Sequence, residues 1–335
     1  MSSLYVDRKN VGVRTDGGAI VFYENDERIG TVPTAPIDRV IIKGNATITT
    51  KVLGDLGKNK IGVIILSGHQ NTPSLFLPAP HNDAKRRICQ CVLSQDKEYK
   101  RLFSVETIRE KILKQAELLD NIYKERPQAG IEFNRHRTWV RESVNKVYDK
   151  IELNELRGIE GHAAAAYFQA LACVLKDSLK FTGRNRRPPT DPFNATLSLT
   201  YTLFISDAAL SIYSAGLDPF VGFLHEADFA RYSFACDLVE PFRTIADQFS
   251  MRLFNENILR PEDFSLTEKG CLMGKAARTR FYPAYEEAAA YWRPLIEKRA
   301  FKYAGDFVAE IAARQKTVVI SDAFETQNSQ RDAFA

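Results

Sequence analysis

The sequence predicts an α+β fold, with a small β-rich N-terminal domain over residues 1–80 and a larger all-α domain over residues 81–315. Three observations carry this. Short β-prone runs bounded by turn residues fill the opening stretch. Pro78-Ala-Pro80 then breaks the pattern. After it the hydrophobic spacing becomes helical and stays so. A chain of 335 residues is long enough for two such domains and a sizeable core.

In order, Leu4–Val6, Val11–Arg14, Ala19–Phe22, Arg28–Val32 and Val40–Ile42 read as strands. Asp16-Gly17-Gly18 is a strong hairpin turn between the second and third. A short helical pattern covers Thr49–Leu56. Ile61–Leu66 is an unbroken apolar run of strand length, the pattern of a strand buried on both faces, and Ser74–Leu77 closes the domain. Asn82 or Asp83 can cap a helix through Lys85–Val92. Further helical patterns cover roughly 105–124, 131–150, 152–178, 194–213, 228–256 and 283–314. After Gln315 the chain turns polar, and residues 316–335 are expected to be loose.

Composition excludes several classes. Hydrophobic content of 44% and charged content of 26% are those of an ordinary soluble protein, and no apolar run approaches a membrane span. The start lacks a basic-then-apolar leader pattern, so the expected location is cytoplasmic. A net charge of +4 does not by itself imply nucleic-acid binding. The five cysteines, Cys89, Cys91, Cys173, Cys236 and Cys271, are scattered and lack paired C-x-x-C spacing; reduced, buried thiols are expected, with no structural zinc.

The chemistry gathers in residues 223–243. His225 is followed by Asp237 and Glu240, three residues apart and so on one face of a helix, flanked by apolar Phe234, Ala235, Leu238 and Val239. Carboxylates beside a core need a cation, a metal or several donors. A mixed nitrogen and oxygen set suits Mg²⁺ or Mn²⁺ and could accept Zn²⁺. A solvated His and a surface acidic pair is the plain alternative. Upstream, Glu160 sits among Gly158, Gly161 and Ala163–Ala166, and shares a helix face with Ala164 and Tyr167. Such a small-residue face admits a helix or a DNA backbone closely. A close helix crossing with Glu160 at its wet edge is the alternative.

The ordered set I-E-G-x-A-A-x-x-Y-F from Ile159, Gly222-Phe-Leu-His225 and Asp237-Leu-Val-Glu-Pro-Phe-Arg243 resembles the CRISPR-associated spacer-acquisition integrase family. The resemblance runs over about residues 3 to 315 and includes Asp191–Tyr201. It implies a metal on Glu160, His225 and Glu240, with Asp237 beside it, and makes Tyr201 a candidate to reach the scissile phosphate, a packing aromatic being the alternative. It implies insertion of captured DNA fragments into a CRISPR array by transesterification, and cleavage of branched or single-stranded DNA. The implied partners are duplex DNA with single-stranded ends, CRISPR repeat DNA, a second copy of the chain paired through the β-rich domain, and a smaller adaptation protein bridging two dimers.

Basic residues cluster in three places: Arg135, His136, Arg137, Arg141 and Lys146; the loop Lys180–Pro189 with Arg184, Arg186 and Arg187; and Lys275, Arg278 and Arg280. Each alone reads as a solvated face, but three in one helical domain favour phosphate binding. Phe181, beside the basic loop, is a candidate to work on splayed ends. Gly270–Lys275 is one residue short of a phosphate loop and lacks its Ser/Thr. His69 reads as a loop residue, and His162 points away from Glu160 on a helix. Two other functions remain open: a DNA-binding protein with a degenerate metal site, and a metal hydrolase of a non-nucleic substrate.

Overall fold

The computed structural model describes residues 2–68, 71–78, 83–185, 188–226 and 231–332. Its opening strands are β1 (Ser2–Val6), β2 (Val11–Asp16), β3 (Ala19–Glu24), β4 (Glu27–Pro33), β5 (Ile37–Lys43) and β6 (Ala46–Ile48), followed by helix α1 (Thr50–Lys58), β7 (Gly62–Ser67) and β8 (Thr72–Phe76). They form two four-stranded sheets, β4-β3-β2-β6 and β1-β5-β7-β8. Asp16 pairs with Ala19 across a two-residue turn in which Gly17 and Gly18 both have positive φ. That is the geometry the two glycines select.

In the second sheet β1, β5 and β7 run parallel and β8 antiparallel. This explains the unbroken apolar run in β7, because parallel strands are covered on both faces. Val40, Ile42 and Val63 face one core with Val13, Ile20 and Val52. Ile41, Ile64 and Leu66 face the larger helical core. Gly62 lets the helical part settle on the sheet, since a Cβ there would lie 2.7 Å from Leu210 Cδ2.

The remaining helices are α2 (Ala84–Gln95), α3 (Lys97–Glu125), α4 (Gly130–Asn145), α5 (Leu153–Ala172), α6 (Pro192–Ser214), α7 (Ser233–Val239), α8 (Arg243–Asn255) and α9 (Lys275–Asp332). Asp83 caps α2 by accepting from the Lys85 amide at 3.1 Å. The other cap candidate, Asn82, and Pro80 lie outside the described residues, as does His69. By length and composition α6 could cross a membrane, contrary to the sequence reading that no run comes close. However, 72% of its most apolar window is buried in the fold, as in a central core helix.

Polar contacts also join the two parts. Asp207 of α6 meets Arg39 of β5, and accepts from Arg293 and Tyr285 of α9 at 3.0 Å each. Arg293 binds Glu286, which accepts the Tyr5 hydroxyl of β1 at 2.6 Å.

Three expectations need correction. The second domain is not all helical, because β9 (Phe264–Thr267) and β10 (Gly270–Met273) form a hairpin. It is short, and β9 is mostly exposed, so it leaves little apolar pattern. The last helix begins at Lys275 rather than 283; Pro283 and Pro294 lie inside it although proline normally marks a helix start. Its backbone is helical to Asp332. No cysteine forms a disulfide, and Cys91 and Cys173 are exposed rather than buried.

Candidate active site

The site is built where α3, α5 and the α7–α8 junction meet. Pro241 offers no N–H, so the chain tightens into a 3₁₀ turn over Glu240–Phe242 between α7 and α8. Asp237 and Glu240 are both turned inward there, 1% and 3% exposed.

Asp237 organises the Phe223–His225 segment. One oxygen accepts the Phe223 and Leu224 amides at 2.6 and 3.1 Å; the other accepts the His225 amide at 3.0 Å and meets His225 Nδ1 at 2.6 Å. A carboxylate that only accepts puts the imidazole proton on Nδ1 and leaves the Nε2 lone pair free. Nε2 faces Glu240 Oε1 at 3.8 Å. Gly222 makes this approach possible: a Cβ there would lie 2.6 Å from the His225 carbonyl and 3.0 Å from Asp237 Oδ2.

Glu240 is ringed by cations. Arg243 binds Oε1 at 2.8 Å, and Lys111 of α3 lies 2.7 Å from Oε2. Lys111 also pairs with Glu160 of α5. Burial alone would raise the Glu240 pKa, but the charges of Arg243 and Lys111 outweigh it and hold the carboxyl well below the usual range. Glu240 Oε2 makes no hydrogen bond of good geometry despite the ion pair. Beside Glu160, no described residue lies within 4 Å of a Cβ built on Gly158 or Gly161. Among the described residues, then, no helix crosses closely at those glycines.

Tyr201 lies behind the ring of cations. Its hydroxyl is given to Asp247, which also accepts from Tyr167 at 2.8 Å. The guanidinium carbons of Arg243 and Arg184 lie 4.9 and 5.6 Å from the centre of its ring. Tyr201 thus braces Arg243 from a buried position rather than presenting its hydroxyl to the carboxylates. The His162 ring lies 5.9 Å from that of Trp139 in a tilted contact, away from the carboxylates, as its helix position requires.

The basic clusters are largely engaged. Arg184 hydrogen-bonds Asn194 Oδ1 at 2.8 Å and Ser198 Oγ at 3.2 Å. Phe181 is buried against Phe193, so it is a core residue and not a free stacking platform. The loop's end is docked: the Pro189 carbonyl accepts from the Cys271 amide at 2.7 Å. Arg186 and Arg187 lie outside the described residues. Arg137 and Arg141 pair with Asp120, and Arg135 with Glu132. Arg278 pairs with Asp7 at 2.7 Å, and Arg280 with Asp263. Lys275 and the paired Arg278 also line a cleft of about 800 Å³ with Asp7, Lys43 and Gly68.

The model for the family described as "CRISPR associated protein Cas1" matches residues 4–287. The CRISPR-associated endonuclease Cas1 1 of Thermodesulfovibrio yellowstonii is 37% identical over 294 residues, 86% of this chain and 91% of that one. This chain belongs to the Cas1 family. Among solved structures, a casposase bound to an integration product superposes with a TM-score of 0.81 at 22% identity, over 92% of this chain and 91% of that one. A Cas6-RT-Cas1–Cas2 complex gives 0.78 at 20% identity, over 92% of this chain and 35% of that longer one. At those identities the structures speak for the Cas1 fold alone.

As they stand, no three His, Cys, Asp or Glu side chains among the described residues converge tightly enough to enclose a metal ion. The donor chemistry nevertheless fits one. Glu160, Glu240 Oε2 and His225 Nε2 are two hard oxygen donors and one imidazole lone pair, and the Glu240 oxygen is buried without a good hydrogen bond. What separates the carboxylates is the Lys111 ammonium. Lys111 and Arg243 are the residues that sequence reasoning missed. The signal for Lys111 was there: it lies with Gln115 on the stripe of Ile108, Ile112 and Leu119, where a helix facing a core would carry apolar residues.

Proposed function

We propose that this chain is a metal-dependent DNA endonuclease and integrase of CRISPR adaptation, with Glu160, His225 and Glu240 as its Mg²⁺ or Mn²⁺ ligands. The observation that carries this is that Lys111 pairs with both Glu160 and Glu240 while His225 Nε2 faces Glu240, with Asp237 holding His225 Nδ1. Membership of the Cas1 family supports the choice of DNA as substrate.

A metal bound there would act as a Lewis acid on the scissile phosphate and stabilise charge on the leaving oxygen. The chain's own residues prepare that place. Asp237 holds Nδ1 and so aims Nε2 at Glu240. Arg243 holds one oxygen of Glu240, leaving the other available. Glu160 lies at the open edge, where Gly158 and Gly161 leave room for a sugar-phosphate backbone. A DNA 3′-hydroxyl oxygen attacks phosphorus, the bond to the original 3′ oxygen breaks, and that oxygen leaves with a proton. Water in place of the hydroxyl gives cleavage. Lys275, together with Arg186 and Arg187, would meet phosphates. A homodimer through the β-rich domain and a Cas2-type partner complete the proposed assembly; the Cas1–Cas2 complex among the fold neighbours supports the latter.

The test is incubation of a branched DNA with and without Mn²⁺. Cleavage only with the metal is expected. Salt-sensitive binding without cleavage would mark a structural DNA-binding protein, and little DNA affinity would mark a hydrolase of another substrate. His225→Ala should keep DNA affinity within a few-fold while cleavage and integration fall by orders of magnitude. Full activity in that variant would remove His225 from the ligand set.

A further inference from the structure

Lys111 is an unusual residue for its place. It is 7% exposed on the face of α3 that packs against the core, yet it carries a charge there. A buried ammonium is tolerated only when paired. Its partners are Glu160 and Glu240 Oε2 alone among the described contacts, from two different helical segments. These are the same two carboxylates assigned above as ligands. Arg243 does not share this role: it holds the other oxygen of Glu240 and is fixed against the Tyr201 ring. A lysine ammonium is a compact charge on a flexible four-carbon stem, so it can leave by side-chain rotation with no backbone change.

We propose that Lys111 is an exchangeable internal counter-ion. In the metal-free protein it neutralises Glu160 and Glu240 and keeps α5 and the α7–α8 junction from parting. A divalent cation displaces it, taking over both carboxylates. Lys111 thereby weakens metal binding in the resting protein and prevents repulsion between the carboxylates when no metal is present. It is a positioning residue, and the inference rests on the ligand assignment made above.

The experiment uses the full-length protein without DNA. Lys111→Met keeps the stem and removes the charge. In EDTA it should melt below wild type, because the one charge that joined Glu160 to Glu240 is gone. Mn²⁺ should restore its melting temperature, and its Mn²⁺ affinity, read by electron paramagnetic resonance of the free ion, should be at least ten-fold tighter than wild type. Lys111→Arg should behave like wild type in EDTA. Adding His225→Ala to Lys111→Met should abolish the gain. Should Lys111→Met fail to fold, the wild type still decides the matter: the ¹⁵Nζ signal of Lys111, assigned with Lys111→Arg, should move to a solvent-exposed, fast-exchanging position on Mg²⁺ addition. If wild type binds Mn²⁺ through His225 but Lys111→Met binds no tighter, or the Nζ signal stays unchanged on saturation, the counter-ion role is overturned while the ligand assignment stands. If His225→Ala leaves Mn²⁺ binding untouched in wild type, the ligand assignment itself fails.

Discussion

Replacing Asp237 with Asn changes one atom and should move a proton on a neighbouring ring. In the native site four donors point at two carboxylate oxygens: the amides of Phe223, Leu224 and His225, and His225 Nδ1. Asn has one acceptor oxygen and one NH₂. With its oxygen toward Phe223 and Leu224, the NH₂ confronts the His225 amide and Nδ1. The amide is orphaned, at about 1–3 kcal/mol, and Nδ1 can engage only by accepting, which shifts the ring proton to Nε2. The opposite flip orphans two amides for roughly twice that cost, so the first pose wins. Nε2 then presents a proton where a ligand lone pair is required. Losing the partner that orients a metal-bound histidine typically costs about 10–100-fold in metal affinity. The expectation for Asp237→Asn is thus a stability loss of roughly 1–3 kcal/mol by urea denaturation, a 10–100-fold weaker Mn²⁺ titration, and an Nε2-protonated ring by ¹⁵N NMR of labelled histidine. A ring still protonated on Nδ1, with wild-type Mn²⁺ affinity, would refute the reasoning.

Gly222→Ala forces a methyl to within 2.8 Å of Ser233 Cβ and 3.0 Å of Asp237 Oδ2. It should cost about 1–3 kcal/mol and loosen His225, seen as a lower melting temperature and a smaller stabilisation by Mn²⁺; wild-type values for both would count against the close approach. Arg184→Ala removes bonds to Asn194 and Ser198. It should destabilise by about 1–3 kcal/mol and leave the salt dependence of DNA binding unchanged; a slope shallower by about one would show that Arg184 meets a phosphate instead. Burial pushes Asp247 up to about 6, against the hydrogen bonds from Tyr201 and Tyr167 and the charge of Arg243. Between the ordinary 3.8 and that value the native chain binds this proton more tightly than the unfolded one, so this group's contribution to stability falls as pH rises through the window and is level above it. Asp247→Asn should flatten that part of the stability profile, and an unchanged profile would show that the group does not titrate there.

The fold was legible where side-chain period and turn chemistry agree. The Asp16-Gly17-Gly18 hairpin, the doubly covered β7 and most helices declare themselves this way. The hairpin β9–β10 did not, because its strands are four residues each and one faces solvent. Of the site, the inward face shared by Asp237 and Glu240 followed from a spacing of three, and His225 from its place in the Gly222-Phe-Leu-His225 run. Their division of labour did not follow, since it depends on a loop returning to α7 across twelve residues. Arg184 shows the opposite failure. Charge and flanking prolines suggest a solvent-facing loop, but only tertiary packing reveals Asn194, Ser198 and the Tyr201 ring as its partners.

The sheet shared by β5 and β7 gives the boundary at Pro78 a different meaning. Alternate residues along these strands belong to different cores: Val40, Ile42 and Val63 to one, Ile41, Ile64 and Leu66 to the other. Asp207 adds a buried polar tie through Arg39 and Arg293. Cutting the chain at the prolines would strip one whole face of the sheet and leave Arg39 without its carboxylate. The composition break is therefore a change in how the chain folds locally and not a seam along which it can come apart. Both halves should melt together, and a cation captured between α5 and α7 should protect amides in β5 from exchange as well as those around His225.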